Sequence, residues 1–244
     1  GKAEQIFLRG FDIDHGTDIG ITVDGLPVNM VSHAHGQGYA DLHFVIPETV
    51  DNIDFGKGPY YADKGNFTTA GYVNFKTKRN LETSRIKLEK GQFSTNRILG
   101  MFDVFNTVKH DAYIAAEHLS TDGPFDSPQN FKRINLFGKY TGNITAFDKI
   151  GVTFSHLSSK WDASGQIPQR AVDLGLIGRF GAIDDTEGGN TGRTNVLVNY
   201  EKVLTDDSYI KSSVFFSKYD FELYSNFTFF LDDPINGDQI KQKE

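Results

Sequence analysis

The chain has 244 residues, of which 38% are hydrophobic, and a formal net charge of −7, a length that can bury a sizeable core as one domain or two and a charge that argues against nucleic acid as a partner. Mean hydropathy is −0.39, and no run approaches the ~18 apolar residues of a membrane-spanning helix, which excludes that route across a bilayer but not strands, whose alternating faces average to a soluble-looking hydropathy. Cysteine is absent, so there is no disulfide or thiolate metal site, as fits an exported chain; 21 Phe and 10 Tyr beside one Trp suit a β-rich one.

The opening Gly1-Lys2-Ala3-Glu4 has no signal-peptide character, so the expectation is a removed leader or a piece of a longer chain. Residues 6–10 read as a short strand ending in Leu8-Arg9-Gly10, and residues 12–18 as turns. A strand over 19–23 stops at Asp24-Gly25-Leu26-Pro27, where Asp-Gly is a strong turn signal and Pro27 keeps the exit extended. A loop over 29–41 carries Ser32-His33-Ala34-His35-Gly36-Gln37-Gly38, and 42–46 leads into Pro47-Glu48-Thr49, a one-turn helix start. Residues 50–55 and 71–77 alternate in period two and are joined through Gly56-Lys57-Gly58-Pro59, which demands a sharp turn. Together residues 1–80 read as a compact α+β unit, near the lower limit for independent folding.

From Leu81 the texture changes to longer two-faced segments at 84–92, 97–105, 111–119, 131–140, 150–157, 194–201 and 208–221. In the first, Ile86 and Leu88 oppose Arg85, Lys87 and Glu89. Connections 105–111, 142–149 and 203–208 are short, whereas 120–130 and 158–193 are long and rich in Gly, Asp and Ser; the connection at 93–96 breaks the alternation. Strands of this length with tight turns on one rim and long loops on the other predict an antiparallel transmembrane β-barrel rather than a sandwich. Two soluble alternatives stay open. One is a glycan-binding module stacking sugars on Tyr60, Tyr61 and Trp161; the other is a β-rich glycoside hydrolase using carboxylates such as Asp184 and Glu187. Either is separated from a barrel by its indifference to detergent.

Leu8-Arg9-Gly10, Ile21-Thr22-Val23-Asp24-Gly25-Leu26-Pro27-Val28-Asn29, Val50-Asp51-Asn52-Ile53-Asp54-Phe55-Gly56-Lys57-Gly58-Pro59 and Ala70-Gly71-Tyr72-Val73-Asn74-Phe75-Lys76-Thr77 resemble, in order and spacing, the plug of TonB-dependent outer-membrane receptors. That family has an R-G near D-G-x-P, then I-E-V-x-x-G-P, then G-G-x-I-N-I-x-T. Here Ile53-Asp54-Phe55 replaces I-E-V and Ala70-Gly71 replaces the paired glycines. Beyond residue 80 only the barrel texture is shared. The resemblance implies a plug (1–80) seated in a barrel of ~22 strands, of which 81–244 supplies about seven before a polar tail at 232–244. An open sheet of seven strands is not viable in lipid, so a longer receptor is implied, with the rest of the plug and the TonB-interacting box outside this sequence.

The resemblance further implies a bacterial outer-membrane location, lipid contact, a TonB-type energy-transducing partner, and uptake of a scarce nutrient, above all a metal chelate such as a ferric siderophore. No covalent chemistry and no cofactor is implied. Arg9 corresponds to the plug arginine, and the inward-pointing Arg85, Lys87, Arg97, Arg133, Lys139 and Glu201 would make plug–barrel contacts, with solvated lumen charges as the plainer reading of any one of them. The loop after D-G-x-P is one of the family's apical, ligand-facing loops. His33 and His35 flank Ala34 and point the same way in an extended segment, so they are the possible metal ligands, although His-x-His in a Gly-rich loop also serves simple hydrogen bonding. Gln37 and His43 join them as substrate contacts, with Tyr60, Tyr61, Trp161 and Arg170 as further candidates; Trp161 also suits an interfacial belt. Gly58-Pro59 lacks a phosphate-loop pattern, and Asp184, Asp185 and Glu187 lack EF-hand spacing.

Overall fold

The computed structural model describes residues 6–8, 10–12, 18–34, 36, 38–227, 232–233 and 238–244. Arg9, His15, His35 and Gln37 lie outside the described residues.

Two short strands, β1 (Phe7–Leu8) and β2 (Phe11–Asp12), form a hairpin. β3 (Ile19–Val23) follows, and its alternate residues Ile19, Ile21 and Val23 are buried, as a half-buried strand requires. Asp24 and Gly25 both take positive φ (53° and 92°), the conformation a two-residue hairpin turn needs, and return the chain to β4 (Leu26–Pro27). A 3-10 turn at Pro47–Thr49 leads into β5 (Val50–Lys57), and a second at Ala62–Lys64 interrupts the loop to β6 (Gly71–Thr77). The sheet order is β4-β3-β6-β5, with β3 and β6 parallel and β5 antiparallel to β6. Among the described residues the helical share of this unit is those two turns.

The large sheet is an antiparallel meander in chain order: β7 (Arg85–Lys90), β8 (Asn96–Asn106), β9 (His110–Thr121), β10 (Phe131–Asn143), β11 (Asp148–Asp162), β12 (Gly188–Thr205), β13 (Ser208–Ser225) and β14 (Ile240–Lys243). A five-residue helix α1 (Gln169–Asp173) sits in the loop after β11. The expected strands are all present, β7 shorter than the expected 84–92 and the others longer, and an eighth, β14, lies in the stretch expected to be a polar tail. Its four residues are too few to show alternation; pairing with Glu222–Ser225 makes them a strand. The expected loop 158–193 contracts to 163–187, because small residues from Gly188 to Gly192 carry no apolar period yet pair with β11 and β13. The short turns are 107–109, 144–147 and 206–207, and the segments 91–95, 122–130 and 163–187, with the described residues between β13 and β14, fall on the opposite rim.

Register gives the wall two faces. Leu99 pairs with Glu117, Glu117 with Asn135, Asn135 with Leu157, Leu157 with Arg193 and Arg193 with Tyr219. All of these but Tyr219, which is partly buried, are buried on the inner face. The even-numbered neighbours Ile86, Leu88, Ile98, Phe102, Val104, Ile114, Ile134, Leu136, Phe154, Val214 and Phe216 are exposed on the outer one. In β8 a bulge between Asp103 and Phe105 reverses this parity, so Phe105 turns outward.

The N-terminal unit packs on the inner face. Ile19, Ile21, Val23, Leu26, Val28 and Phe44 share one core with Leu157 and Leu197 of the wall. Ile46 and Leu81 share a second with Leu99, Met101, Tyr113, Ala115 and Phe137. A unit of this size exposes too much surface to close a core alone; the wall supplies the missing side.

Candidate functional site

The site is the seam between the N-terminal unit and the wall, with a cavity at each end. On the β7–β10 side, Glu48 extends from the 3-10 turn and accepts a bidentate pair from Arg97 (Nη1 to Oε1 and Nη2 to Oε2, both 2.7 Å). Arg97 also reaches Glu89 at 2.7 Å and Glu117 at 2.6 Å. Lys87 bridges Glu48 (3.2 Å) and Glu89 (2.9 Å). Glu117, fully buried, accepts from Arg133 at 2.9 Å and from the Asn135 amide at 3.1 Å, and that amide also donates to the His43 carbonyl at 2.8 Å. The three carboxylates and three cations balance, which makes the burial of Glu117 tolerable. The Arg97 hydrogen bonds hold the Glu48 carboxyl down at about 2, against the opposing effect of burial.

Further along the seam Lys139 Nζ donates to Asp24 (3.0 Å), the Thr77 carbonyl (3.1 Å) and the Thr77 hydroxyl (2.8 Å). Asp24 in turn accepts from the Thr77 amide at 2.9 Å. The turn that reverses β3 into β4 is thereby tied to the wall. Arg79, in the segment joining the two sheets, pairs with buried Asp111 at 2.6 Å. On the β12–β13 side the partner is not a carboxylate. Arg193, 4% exposed, donates to three carbonyls of the N-terminal unit, those of Pro27 (3.2 Å), Val28 (3.4 Å) and Asp41 (3.4 Å). Its guanidinium also lies over the Phe44 ring at 4.7 Å.

The described part of the histidine loop packs inward. A backbone bridge joins His33 and Gly36. The buried His33 ring stacks on Tyr39 (centroids 3.8 Å apart, planes 6° apart) and meets Phe221 of β13 edge-on at 4.6 Å. His43 stands apart, its Nδ1 2.9 Å from an Asp41 oxygen that also accepts the His43 amide. Burial pushes the Asp41 carboxyl up, but the side-chain hydrogen bond, charge and backbone amide of His43 together with smaller contributions outweigh it, and the net position is low. Among the described residues no three histidine or acidic side chains converge as a metal site.

At the long-loop end, a cavity of about 530 Å³ opens on the inner face, between Trp161, Phe131, Phe125, Phe227 and Leu223. Thr121, Gln129, Ser164, Gln166, Ser225 and Glu187 are among its polar lining, and among the described residues neither lysine nor arginine lines it. Two glycines make room here: a Cβ on Gly189 would sit 2.9 Å from the Trp161 ring, and one on Gly165 (φ 64°) would strike the Glu187 carboxylate. At the short-turn end a second cavity, of about 660 Å³, lies beside Asp24 and Lys139. It is bordered by Lys76, Arg79, Lys149 and Lys211, with Glu201 as its other acid.

Of the residues singled out by sequence, Lys87 and Arg97 reach Glu48, and Arg133 acts through Glu117. Arg85 is exposed and makes no ion pair among the described residues, and Glu201 pairs with Lys211 inside the wall at 3.3 Å. Trp161 lines the first cavity; Arg170 is exposed on α1. Tyr60 is exposed, and Tyr61 packs against Tyr72. Asp184 is occupied by the Thr186 amide (2.9 Å) and the Asn226 side chain (3.1 Å), which together hold its carboxyl low against the effect of burial. Sequence reasoning missed Glu48, Glu117 and Arg193. Parity puts the last two on the inner face, but their partners in the N-terminal unit or on neighbouring strands do not follow from it.

Residues 1–72 match the family described as TonB-dependent Receptor Plug Domain, a domain of receptors rather than of enzymes. No curated protein sequence matches the chain. Among solved structures, it is similar to the siderophore receptor PiuA from Acinetobacter baumannii, at 15% identity and a TM-score of 0.69 over 92% of this chain and 32% of that one. The unliganded ferric citrate transporter FecA gives 14% identity and a TM-score of 0.71 over 89% and 33%. The copper transporter OprC gives 16% and 0.63 over 91% and 33%. The chain thus spans about a third of the length of these structures, and at such identity what they share is the fold.

Proposed function

We propose, from a chain that carries a TonB-dependent receptor plug domain at residues 1–72 and the fold of those receptors beyond it, that it forms the plug and first barrel strands of a receptor importing a scarce nutrient. The cargo is a small molecule or metal chelate of the kind named for the similar structures, and the place is the bacterial outer membrane. The observation that carries this reading is the two-faced wall, with an unbroken apolar band on one side and a domain seated by charged and polar contacts on the other. A band of that kind is what lipid requires. Beside the apolar cores that the domain shares with the wall, hydrogen bonds such as those of Arg193 to backbone carbonyls exchange their partners for water when the domain shifts, which suits a plug that a TonB-type partner remodels to pass its cargo. Segments 122–130 and 163–187 then face the outside and the short turns the periplasm.

The sequence contains no cysteine, so introduced thiols report orientation. Leu174→Cys places a thiol on the long-loop rim and Val108→Cys one on a short turn, both at strongly exposed positions (73% and 95%). On intact cells a membrane-impermeant maleimide is expected to label the first, and the second only after lysis. Equal labelling of both on intact cells, or labelling of neither before lysis, overturns the reading.

A further inference from the structure

A single register row crosses the outer face of the wall at its long-loop end. It runs from Lys90 of β7 through Lys132 of β10 and Lys160 of β11 to Lys243 of β14, and its other positions are two asparagines, a serine and Glu222. All four lysines are exposed. Lys132 and Lys160 are direct cross-strand partners, and like charges set opposite each other destabilise a sheet. Slippage cannot separate them, because a shift of one residue would turn the apolar outer face inward. Among the described residues, neither they nor Lys90 make an ion pair or a side-chain hydrogen bond. The acid of the row, Glu222, is already held by Lys241 at 3.2 Å. Two residues along the strands toward the short turns, the same face becomes apolar at Leu88, Ile98 and Ile134. The lysines therefore border the apolar band, at the level where headgroups succeed acyl chains. Near the short turns the outer-face Lys202 is by contrast balanced within the wall, 3.6 Å from Asp148.

We infer that Lys132 and Lys160, flanked by Lys90 and Lys243, bind the phosphate groups of an acidic lipid headgroup in the leaflet on the long-loop side. A phosphate between two ammonium groups turns their repulsion into a shared attraction. Strands lie ~4.8 Å apart, so each flanking lysine stands three strands, about 14 Å, from the central pair and serves a separate phosphate. The lipid chains cover the apolar band beside the row and hold the phosphate at this height, which a free ion lacks. The inference rests on the receptor reading, which is what gives the band its lipid.

The test is a native mass-spectrometric titration of the whole receptor in neutral detergent with a diphosphorylated diglucosamine lipid, with the same lipid dephosphorylated, and with inorganic phosphate as competitor. The phosphorylated lipid is expected to bind about tenfold more tightly than the dephosphorylated one. Lys132→Gln with Lys160→Gln should remove that preference, and Lys202→Gln should leave it intact. In lipid-free detergent, Lys132→Glu should raise the thermal unfolding midpoint by pairing with Lys160, while still abolishing the preference for phosphate. A merely structural role would not move those two readouts in opposite directions. Equal binding of the two lipids overturns the inference, as does an unchanged preference in the folded double variant. Displacement by inorganic phosphate at concentrations equal to the lipid's also overturns it, by marking a site for the free ion. Failure of the receptor reading would instead appear in the thiol-labelling pattern, which does not depend on lipid phosphate.

Discussion

On its β7–β10 side the N-terminal unit meets the wall through full charges, three carboxylates interleaved with three cations. On its β12–β13 side it meets the wall through one arginine aimed at three neutral carbonyls and through an edge-on ring contact between His33 and Phe221. The difference teaches how the two sides would open. A charge cluster is a network: removing one member leaves others buried and unbalanced, and water cannot easily replace it. Carbonyls deprived of an arginine are left with lone pairs that a single water can satisfy. The β7–β10 side is therefore the stiffer attachment and the β12–β13 side the one that yields first.

The sharpest way to break that contrast is Arg97→Met. It leaves Glu48 and Glu89 only the more exposed Lys87 as a shared partner and leaves Glu117 to Arg133 and Asn135 alone, at a cost of about 3 kcal/mol, roughly a hundredfold in the open population. Hydrogen exchange over residues 47–57 in the solubilised protein should accelerate accordingly, while Arg85→Ala, on the same face but unpaired, should change nothing. Arg193→Met comes next, at about 2 kcal/mol, because its hydrogen bonds are long and its acceptors neutral. Exchange should rise around residues 26–30 and 39–42 and stay unchanged at 47–57; a spread to both regions would mean that the seam opens as one unit. The smallest effect is that of pH. Glu48 titrates at about 2 in place, against an ordinary value of 4.5. Its contribution is thus complete above about 4.5 and is lost as pH falls toward 2. Exchange at 47–57 should rise across that window, and Glu48→Gln should flatten the rise; an equal rise in the variant would place the titrating group elsewhere.

Much of the fold was legible in the sequence because strands with one apolar outer face carry their register on their surface. Ile86 and Leu88 against Arg85 and Lys87 already separate outside from inside, and Asp24-Gly25 announces its turn. Less legible were features fixed by partners distant in the chain. Gly188 to Gly192 read as loop because their strand character comes from the strands on either side rather than from their own side chains. His33 read as a loop histidine open to ligand, and only Phe221, far along the chain, completes the aromatic box that encloses it. Arg193 was hidden for the same reason, its acceptors lying more than 150 residues earlier. The plug-like motifs signalled the domain but not how it is seated, because Glu48, the residue that seats it on the β7–β10 side, falls between those motifs.

The bulge in β8 has a bearing on where the wall floats. By reversing parity after Asp103 it delivers Phe105 to the outer face near the short turns, edge-on to Tyr140 with ring centres 6.2 Å apart. Tyr140 in turn is hydrogen-bonded to His110 at 2.9 Å. Rings with one wet and one dry side settle at the boundary between acyl chains and headgroups. On the receptor reading proposed above, one extra residue in a single strand would put an aromatic pair at the headgroup level on the short-turn side, and so help set how far the long loops stand above the surface.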